Sequence, residues 1–263
     1  MRFDPASQDV GNIVFFEHVN LTIPDQETAT DFYVAGLGLT RDPHMTVGSN
    51  NMWINAGRQQ FHLPKGEAQR FRGTIGLVLP DLDALEARLR RVAPRLGGTH
   101  FSWRRQSGHV ALTCPWGNRF RAHGAGGGHG GPLGIPYLEM PVAAGTAAGI
   151  AEFYRSVMGA PAEAGDGCAR VTVGPGQHFV FQESGAPAAV YDGHHVAVYA
   201  ADFSGPYRAL AERDLVTAED NPSQYRFAEI VGPGAAETLF DLEHEVRSLR
   251  HPLYARALVN RTG

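Results

Sequence analysis

Two adjacent histidines and a run of alternating acids are the residues whose types could support chemistry. His194 and His195 stand at the start of a segment that has the composition of a buried strand, so they would point to opposite faces. Near the end of the chain, Asp241, Glu243 and Glu245 alternate with other residues and would share one strand face. Buried carboxylates need partners. A metal ion bound together with a histidine would supply one, and an arginine would satisfy the same acids without an ion.

The elements that would position these side chains occur four times along the chain. Each half opens on a strand and a helix with a Phe-Tyr pair, FEHVNLTIP with DQETATDFYVAGLG and YLEMPV with GTAAGIAEFYRSVMG. Short strands follow in each half, and then a second strand and helix, TIGLVLPDLDALEARLRRV and HVAVYAADFSGPYRALAER. Each half closes with further strands. The order β-α-β-β-β therefore appears four times, which predicts an α+β fold.

A glycine-rich segment divides the chain into halves of similar size. Residues 124–134 are mostly glycine, a composition typical of a linker. The sequence therefore predicts a first module over 12–123, the linker, a second module over 135–250 and a tail over 251–263.

Composition excludes several classes of protein. The 263 residues are 43% hydrophobic, which is enough for a full core, and the net charge of -4 offers no basic footprint for nucleic acid or an anionic membrane surface. Cys114 and Cys168 form no CxxC pair, and the glycine-rich stretches do not follow a strand as GxGxxG, so neither a disulfide scaffold nor a nucleotide cofactor is expected. Neither a signal peptide nor a membrane span is evident in the sequence. We expect a cytoplasmic protein with a small-molecule substrate and no nucleic-acid or membrane partner; a homodimer is left open.

The repeated motifs resemble those of a known superfamily. The Phe-Tyr pair in the first helix of each half, LPDLDAL and AADFSGPYRAL at the second helix, and PWGN before the last strand of the first half resemble the vicinal oxygen chelate superfamily. That superfamily includes glyoxalase I, fosfomycin-resistance enzymes, extradiol dioxygenases and metal-free antibiotic-binding proteins. The resemblance covers nearly the whole chain. It implies four βαβββ units that form two modules, each a curled mixed sheet, or cup, with helices outside.

In the second module, the resemblance implies a metal site on the first and last strands of the units. The position usually held by histidine falls on Tyr137, and Glu139, two residues on, could replace it. The next position falls on His195, and the last strand offers Glu243 or Asp241. The implied ligands are therefore His195 with Glu243 or Asp241, completed by Glu139 or Tyr137, around Fe(II) or Mn(II). His195 and Tyr137 are the implied catalytic residues.

The first module offers a second and less favoured set of ligands. His18 takes its first-strand position, and His62 and His123 could complete a site of three histidines. Thr74 and Arg121 fill the remaining positions, and neither is a metal ligand. We therefore interpret this module as degenerate and retained for packing.

The predicted function is that of a metal-dependent enzyme acting on a small substrate with two vicinal oxygens. An extradiol-type dioxygenase, which is an oxidoreductase, and a glyoxalase-like lyase or isomerase are the implied reaction types. The alternative is a metal-free protein of the same fold that binds or sequesters an apolar or aromatic ligand. An ion pair from Arg226 to the acids of the last strand would favour this alternative.

Overall fold

The computed structural model describes residues 4–45, 50–129, 131–186, 189–233 and 237–261. A short 3₁₀ helix (Pro5–Gln8) precedes the first repeat. The first unit contains β1 (Ile13–Asn20), α1 (Gln26–Ala29), which continues as a π-helical segment (Thr30–Gly36), β2 (Thr40–Arg41), β3 (Asn51–Ala56) and β4 (Gln59–Pro64). The second contains β5 (Thr74–Leu79), α2 (Leu82–Val92), β6 (Ser102–Gln106), β7 (His109–Thr113) and β8 (Arg119–Gly124). The third contains β9 (Tyr137–Val142), α3 (Ala147–Ser156), β10 (Ala162–Gly165), β11 (Cys168–Thr172) and β12 (His178–Glu183). The fourth contains β13 (His195–Ala200), α4 (Ser204–Ala211), β14 (Val216–Asn221), β15 (Gln224–Val231) and β16 (Thr238–Ser248).

Two helices begin at aspartates that belong to the repeated motifs. The Asp25 carboxylate accepts hydrogen bonds from the backbone N–H groups of Glu27 and Thr28 at the start of α1. The carboxylate of Asp81, in the LPDLDAL motif, accepts hydrogen bonds from the backbone N–H groups of Asp83 and Ala84 at the start of α2. These bonds satisfy N–H groups that have no partner within the helix, which fixes where each helix begins. None of the helices in the described ranges is both long and apolar enough to cross a membrane.

The sixteen strands of the described residues form two mixed sheets, and each sheet combines units from both halves of the chain. The first sheet has the order β14-β15-β16-β13-β1-β4-β3-β2, and the second has the order β10-β11-β12-β9-β5-β8-β7-β6. The first strands of the paired units run antiparallel, β1 beside β13 and β5 beside β9. The predicted α+β fold of four βαβββ units in two sheets is confirmed. The halves 12–123 and 135–250 each contribute one unit to each sheet.

The glycine-rich segment joins neighbouring units within the second sheet. It runs from β8 to β9, which lie on either side of β5, and its end pairs with β5 through backbone hydrogen bonds between Val78 and Gly134. The Gln59 amide of β4 donates to the Ile135 carbonyl and accepts from its N–H, both at 2.6 Å. This part of the segment is therefore held between the two sheets. Residue 130 lies outside the described residues.

The core lies between the two sheets. Phe16 of β1 packs against Phe179 of β12, with ring centroids 5.2 Å apart, and Phe61 of β4 contacts Phe120 of β8 at 5.9 Å. The ring of Tyr33, from the π-helical segment, contacts both Phe61 and Phe120. Because the inner faces carry the aromatic residues, polar side chains are left to the outer faces.

The tail crosses the strands of the first unit. The Asn260 side chain accepts a hydrogen bond from the Gly57 N–H and donates one to the Gly57 carbonyl. Arg256 donates to the buried Asp42 carboxylate at 2.8 Å. These bonds tie the tail to the first sheet.

A buried histidine links α3 to β16 in the core. His244 is fully buried, and its Nδ1 lies 2.7 Å from the Leu242 carbonyl, so this nitrogen carries the proton. Its Nε2 therefore accepts from the Tyr154 hydroxyl at 2.8 Å. Burial lowers the pKa of His244 to about 4, so the ring is neutral near pH 7.

Replacement of Tyr154 by Phe is expected to destabilise the protein. The variant leaves the buried Nε2 of His244 without a donor, which costs about 1 to 3 kcal/mol. Urea denaturation at pH 7 measures the loss. Tyr207→Phe is the matched control, because it removes a hydroxyl on α4 that bonds the exposed Glu219 side chain, and it should leave the midpoint nearly unchanged. Equal midpoints for the Tyr154 variant and the unmodified protein would contradict the role assigned to this bond.

Candidate metal centre

An irregularity in β1 brings two site residues together on the outer face of the first sheet. Phe16 pairs with Val198 and His18 pairs with Ala197, so Glu17 is an extra residue in the ladder. A bulge of this kind changes the direction of the side chain next to it. The Glu17 carboxylate consequently lies beside the His18 ring, with Oε2 2.9 Å from Nδ1.

The contact with Glu17 fixes which nitrogen of His18 is free. An ionised carboxylate only accepts hydrogen bonds, so Nδ1 of His18 donates and Nε2 is the nitrogen left for another partner. His18 is fully buried, and its Nε2 has no hydrogen-bond partner among the described residues. The Tyr199 hydroxyl donates to the other oxygen of Glu17 at 3.0 Å. Burial raises the pKa of Glu17, but the hydrogen bond from His18 and the charge of Arg247 outweigh burial and lower it below its usual value.

Three strands place two imidazoles and a carboxylate around one point. His18 of β1, Ala197 of β13 and Glu245 of β16 are paired across the sheet, and His195 precedes Ala197 by two residues on β13. His18, His195 and Glu245 each offer a ligand atom within 4.8 Å of the others. Ala197, which lies between His18 and Glu245, has only a methyl side chain.

His195 is neutral and has an unpaired nitrogen. Burial, followed by the charges of His18 and Arg226, lowers its pKa well below the usual value. Its Nε2 has no hydrogen-bond partner among the described residues, since the nearest oxygen of Glu245 lies 3.6 Å away. Nδ1 lies 3.5 Å from Glu243. Two buried imidazole nitrogens without partners therefore face the same space.

Two arginines hold the carboxylates of β16. Arg226 contacts Glu245 and Glu243, each at 2.6 Å, and Arg247 contacts the second oxygen of Glu245 at 2.5 Å. Arg247 also forms an ion pair with Glu17. The arginine pairing considered from the sequence is therefore present. It neutralises the acids but leaves the two imidazole nitrogens, and Oε1 of Glu245, without a hydrogen-bond partner among the described residues.

His62 lies beside this cluster but is fully engaged elsewhere. Its ring stacks on Trp53 with centroids 3.9 Å apart. Asn20 donates to its Nδ1 at 2.7 Å, and its Nε2 donates to Asn51 at 3.1 Å. Burial, with the charges of His18 and Arg247, lowers the pKa of His62 to about 2. The structure gives His62 a role in packing rather than a free ligand atom.

The structure does not bring Tyr137 and Glu139 to His195. Both lie on β9 in the second sheet, where the Tyr137 hydroxyl is 2.8 Å from Nε2 of His123 and Glu139 pairs with Arg121 at 3.1 Å. The ligand set that joined them to His195 is corrected, because the third and fourth units belong to different sheets. The grouping of His123 with His18 and His62 is corrected as well, because the first and second units belong to different sheets.

Two further residues from the sequence analysis lie outside the cluster. The Asp241 carbonyl accepts a hydrogen bond from Arg72, and Asp241 lies four residues before Glu245 on β16. His194 is bonded to Asp192 at 2.7 Å, and its ring packs against Phe71. The alternation of β13 thus separates His194 from His195.

Glu245 is the candidate ligand that sequence reasoning did not select. It shares a strand face with Glu243 and Asp241, and its position opposite Ala197 depends on the register between β13 and β16. Its low exposure, 4% for the side chain, distinguishes it from Glu243 at 26%. The apolar residues of β13, the parallel partner of β16, were a signal that Glu245 is buried.

A cavity adjoins the cluster. A space of about 450 Å³ lies between the outer face of the first sheet and the tail. Its walls include Glu17, Gln60 and Tyr199 from the sheet and Tyr254 and Arg256 from the tail. Glu17, which contacts the His18 ring, and Gln60, which pairs with His18 across β1 and β4, lie in the cavity wall, whereas His18, His195 and Glu245 do not.

Comparisons with known proteins show similarity of fold. Neither a protein-family model nor a curated protein matches the sequence. Similar solved structures include a protein from Bacillus subtilis subsp. subtilis str. 168 suggested to be a dioxygenase, with a TM-score of 0.59 at 16% identity over 90% of this chain and 86% of that chain. Glyoxalase I from Zea mays has a TM-score of 0.60 at 12% identity over 90% of this chain and 92% of that chain. Similarity at this level of identity shows a shared fold.

His62 is expected to make stability depend on pH. The folded protein keeps this ring neutral down to about pH 2, whereas the unfolded chain takes up a proton below about pH 6.5. Stability is therefore fully present above pH 6.5 and decreases as the pH falls. Between pH 7 and pH 5, His62→Gln should lose less stability than the unmodified protein by up to about 2 kcal/mol. Urea denaturation of chelator-treated protein at both pH values measures this, and equal losses would contradict it.

Proposed function

Starting from the vicinal oxygen chelate fold of this chain, we propose that the protein is a metal-dependent enzyme whose ion is held by His18, His195 and Glu245. The observation that supports this is the convergence of their ligand atoms within 4.8 Å, with Nε2 of both histidines buried and unpaired. Two histidines and one carboxylate form the ligand set of non-haem Fe(II) oxygenases. This favours Fe(II), with Mn(II) as the second candidate, and a dioxygenase of the ring-cleaving type.

The donor set fits a divalent cation. His18 donates from Nδ1 to Glu17, so its Nε2 is the nitrogen that would bind an ion, the neutral imidazole of His195 can present a lone pair, and Glu245 supplies negative charge. Together, Glu17, Glu243 and Glu245 outnumber the two arginines that contact them, so added positive charge is electrostatically acceptable. When bound, the ion would supply Lewis-acid or redox chemistry with positions open to two adjacent substrate oxygens.

The residues of the chain orient the donors and shape the substrate site. Glu17 holds the His18 ring, and Arg247 holds Glu17 and Glu245 together. The cavity bordered by Glu17 has a volume of about 450 Å³, within the usual range for small-molecule sites. Aromatic side chains of Tyr199 and Tyr254 contribute to its wall, which suits a small aromatic substrate with two neighbouring hydroxyls.

The second candidate function is metal-free binding of a small molecule in the same cavity. It is favoured by one observation: both oxygens of Glu245 already contact arginines, Oε2 contacting Arg226 and Oε1 contacting Arg247. A carboxylate paired in this way does not need an ion. The two functions differ in whether a metal binds and whether its binding depends on the histidines.

Metal binding is expected to depend on the three ligands. Chelator-treated protein, made without a metal-affinity tag, is titrated with Mn(II) and, anaerobically, with Fe(II), followed by calorimetry and elemental analysis. One equivalent should bind to the unmodified protein. His195→Ala and Glu245→Gln should each lower the affinity at least tenfold, because each removes a donor.

His62→Gln is the matched control for these variants. It changes a neighbouring histidine whose nitrogens are both engaged, so metal affinity should stay within about twofold. The absence of stoichiometric metal in the unmodified protein would reject the metal-dependent function and support the metal-free alternative. Equal loss in His62→Gln would move the site away from the proposed ligands.

Glu17 is expected to act through His18. Glu17→Gln removes the anionic acceptor of the His18 Nδ1 proton, and loss of such a partner lowers metal affinity about 10- to 100-fold. The binding constant for Mn(II), measured by titration, gives the change. Glu139→Gln, which removes a carboxylate from the other sheet, should leave it unaltered. An unchanged constant in the Glu17 variant would show that His18 needs no such orientation.

The reaction type is tested with catechol, the simplest aromatic compound with two adjacent hydroxyls. Ring-cleaving dioxygenation places both atoms of O₂ in the product, so oxygen uptake and catechol consumption should be equal. An oxygen electrode and absorption spectra follow the two quantities in the Fe(II)-loaded protein. Metal binding without oxygen uptake would support the ion site but reject dioxygenation of catechol.

A further inference from the structure

The outer face of the second sheet repeats the geometry of the metal centre with different chemistry. In the first sheet, His18, Ala197 and Glu245 lie side by side on three strands. The equivalent strands of the second sheet are β9, β5 and β8, where Gly76 pairs with Arg121 and the Tyr137 ring lies over Gly76. A tyrosine and an arginine thus replace the histidine and the carboxylate.

The arginine at this position belongs to a larger polar groove. The register places Arg104 of β6 opposite Ala111 of β7, and Ala111 opposite Arg121 of β8. The groove has a volume of about 410 Å³, and its wall includes Thr74, Ser102, Arg104, His109, Arg119 and Arg121. Because neighbouring strands are about 4.8 Å apart, Arg104 and Arg121 flank the methyl group of Ala111 at a separation of about 10 Å. Long side chains at this separation can close on one small group.

The groove has more positive than negative charge. Arg104 is exposed and has no ion pair or side-chain hydrogen bond among the described residues. Within the described part of the chain, Arg119 donates only to the Gly73 carbonyl, at 3.3 Å. Arg121 pairs with Glu139 and also donates to the Tyr137 hydroxyl at 3.3 Å. The guanidiniums of Arg104 and Arg119 therefore have N–H groups available to a ligand.

Histidines extend the same face. The His123 ring lies 5.7 Å from that of His109 and 4.3 Å from that of His129. Burial, with the charges of His129, His109 and Arg121, lowers the pKa of His123 to about 4. No metal-binding group is found here among the described residues. The guanidiniums of Arg104, Arg119 and Arg121 therefore disfavour a cation and favour an anion at this face.

We infer that this groove is a second binding site, separate from the metal centre, for a small anion with a phosphate or carboxylate group. Arg104 and Arg121 would donate to its oxygens from either side of Ala111, in charge-assisted hydrogen bonds. Tyr137 and Arg119 border the position. The two sheets would then bind ligands of opposite charge on equivalent outer faces.

Calorimetric titration with inorganic phosphate and with succinate tests the inference and distinguishes the two anion types. The unmodified protein should bind at least one of them saturably, with an affinity that weakens as salt is added. Arg104→Ala and the double variant Arg104→Ala/Arg121→Leu should lower that affinity, the double variant at least tenfold. Because Arg104 is exposed, its single replacement tests the site without threatening the fold.

Arg105→Ala is the matched control. Arg105 neighbours Arg104 on β6 and carries the same charge, but it faces α2, where it pairs with Asp83 and Glu86. The Arg105→Ala variant should bind the anion with the same affinity as the unmodified protein. Absence of saturable binding of both anions up to about 10 mM, or an equal loss in the Arg105 variant, would overturn the inference. Mn(II) titration of the same variants should be unchanged, which separates this result from a failure of the metal centre.

Discussion

The antiparallel pairing of β1 with β13 is the constraint on which the candidate metal centre depends. It joins the first unit of the chain to the last, so that His18 and Glu245, more than two hundred residues apart, flank the same alanine. Parallel pairing of β13 with β16 then sets which acid of the last strand lies in that rung. Strand alternation sends His195 to the same face, and the aromatic core occupies the opposite one.

The fold is repeated in the two sheets, whereas the chemistry of their outer faces differs. Both sheets bring first strands together in the centre, and both place a small residue, Ala197 or Gly76, between polar neighbours. Ala197 carries only a methyl group, whereas the Tyr137 ring covers Gly76. The neighbouring side chains decide the charge of each face, since His18 and Glu245 suit a cation, whereas Tyr137 and Arg121 suit an anion.

Periodicity and motifs were sufficient to predict the four βαβββ units, because each unit carries its own strand alternation and helix start. His195 and the acids of β16 were also recognised, since alternation is a local property. The pairing of units is a long-range property: nothing in the residues around Tyr137 indicates that β9 joins β5 rather than β13. The bulge at Glu17 and the engagement of His62 by two asparagines depend on neighbouring strands, so they too were beyond sequence reasoning.

The negative charge of Glu245 would attract a cation, but the arginines that already pair with this carboxylate oppose cation binding. A carboxylate with 4% exposure would be costly without a partner, and Arg226 and Arg247 offset that cost before any ligand arrives. The two arginines differ in what else they contact. Arg247 is buried and fixed by Glu17, whereas Arg226 also contacts Glu243 and Asp220, which are more exposed. An incoming cation would therefore displace Arg226, because this arginine can release Glu245 and remain paired.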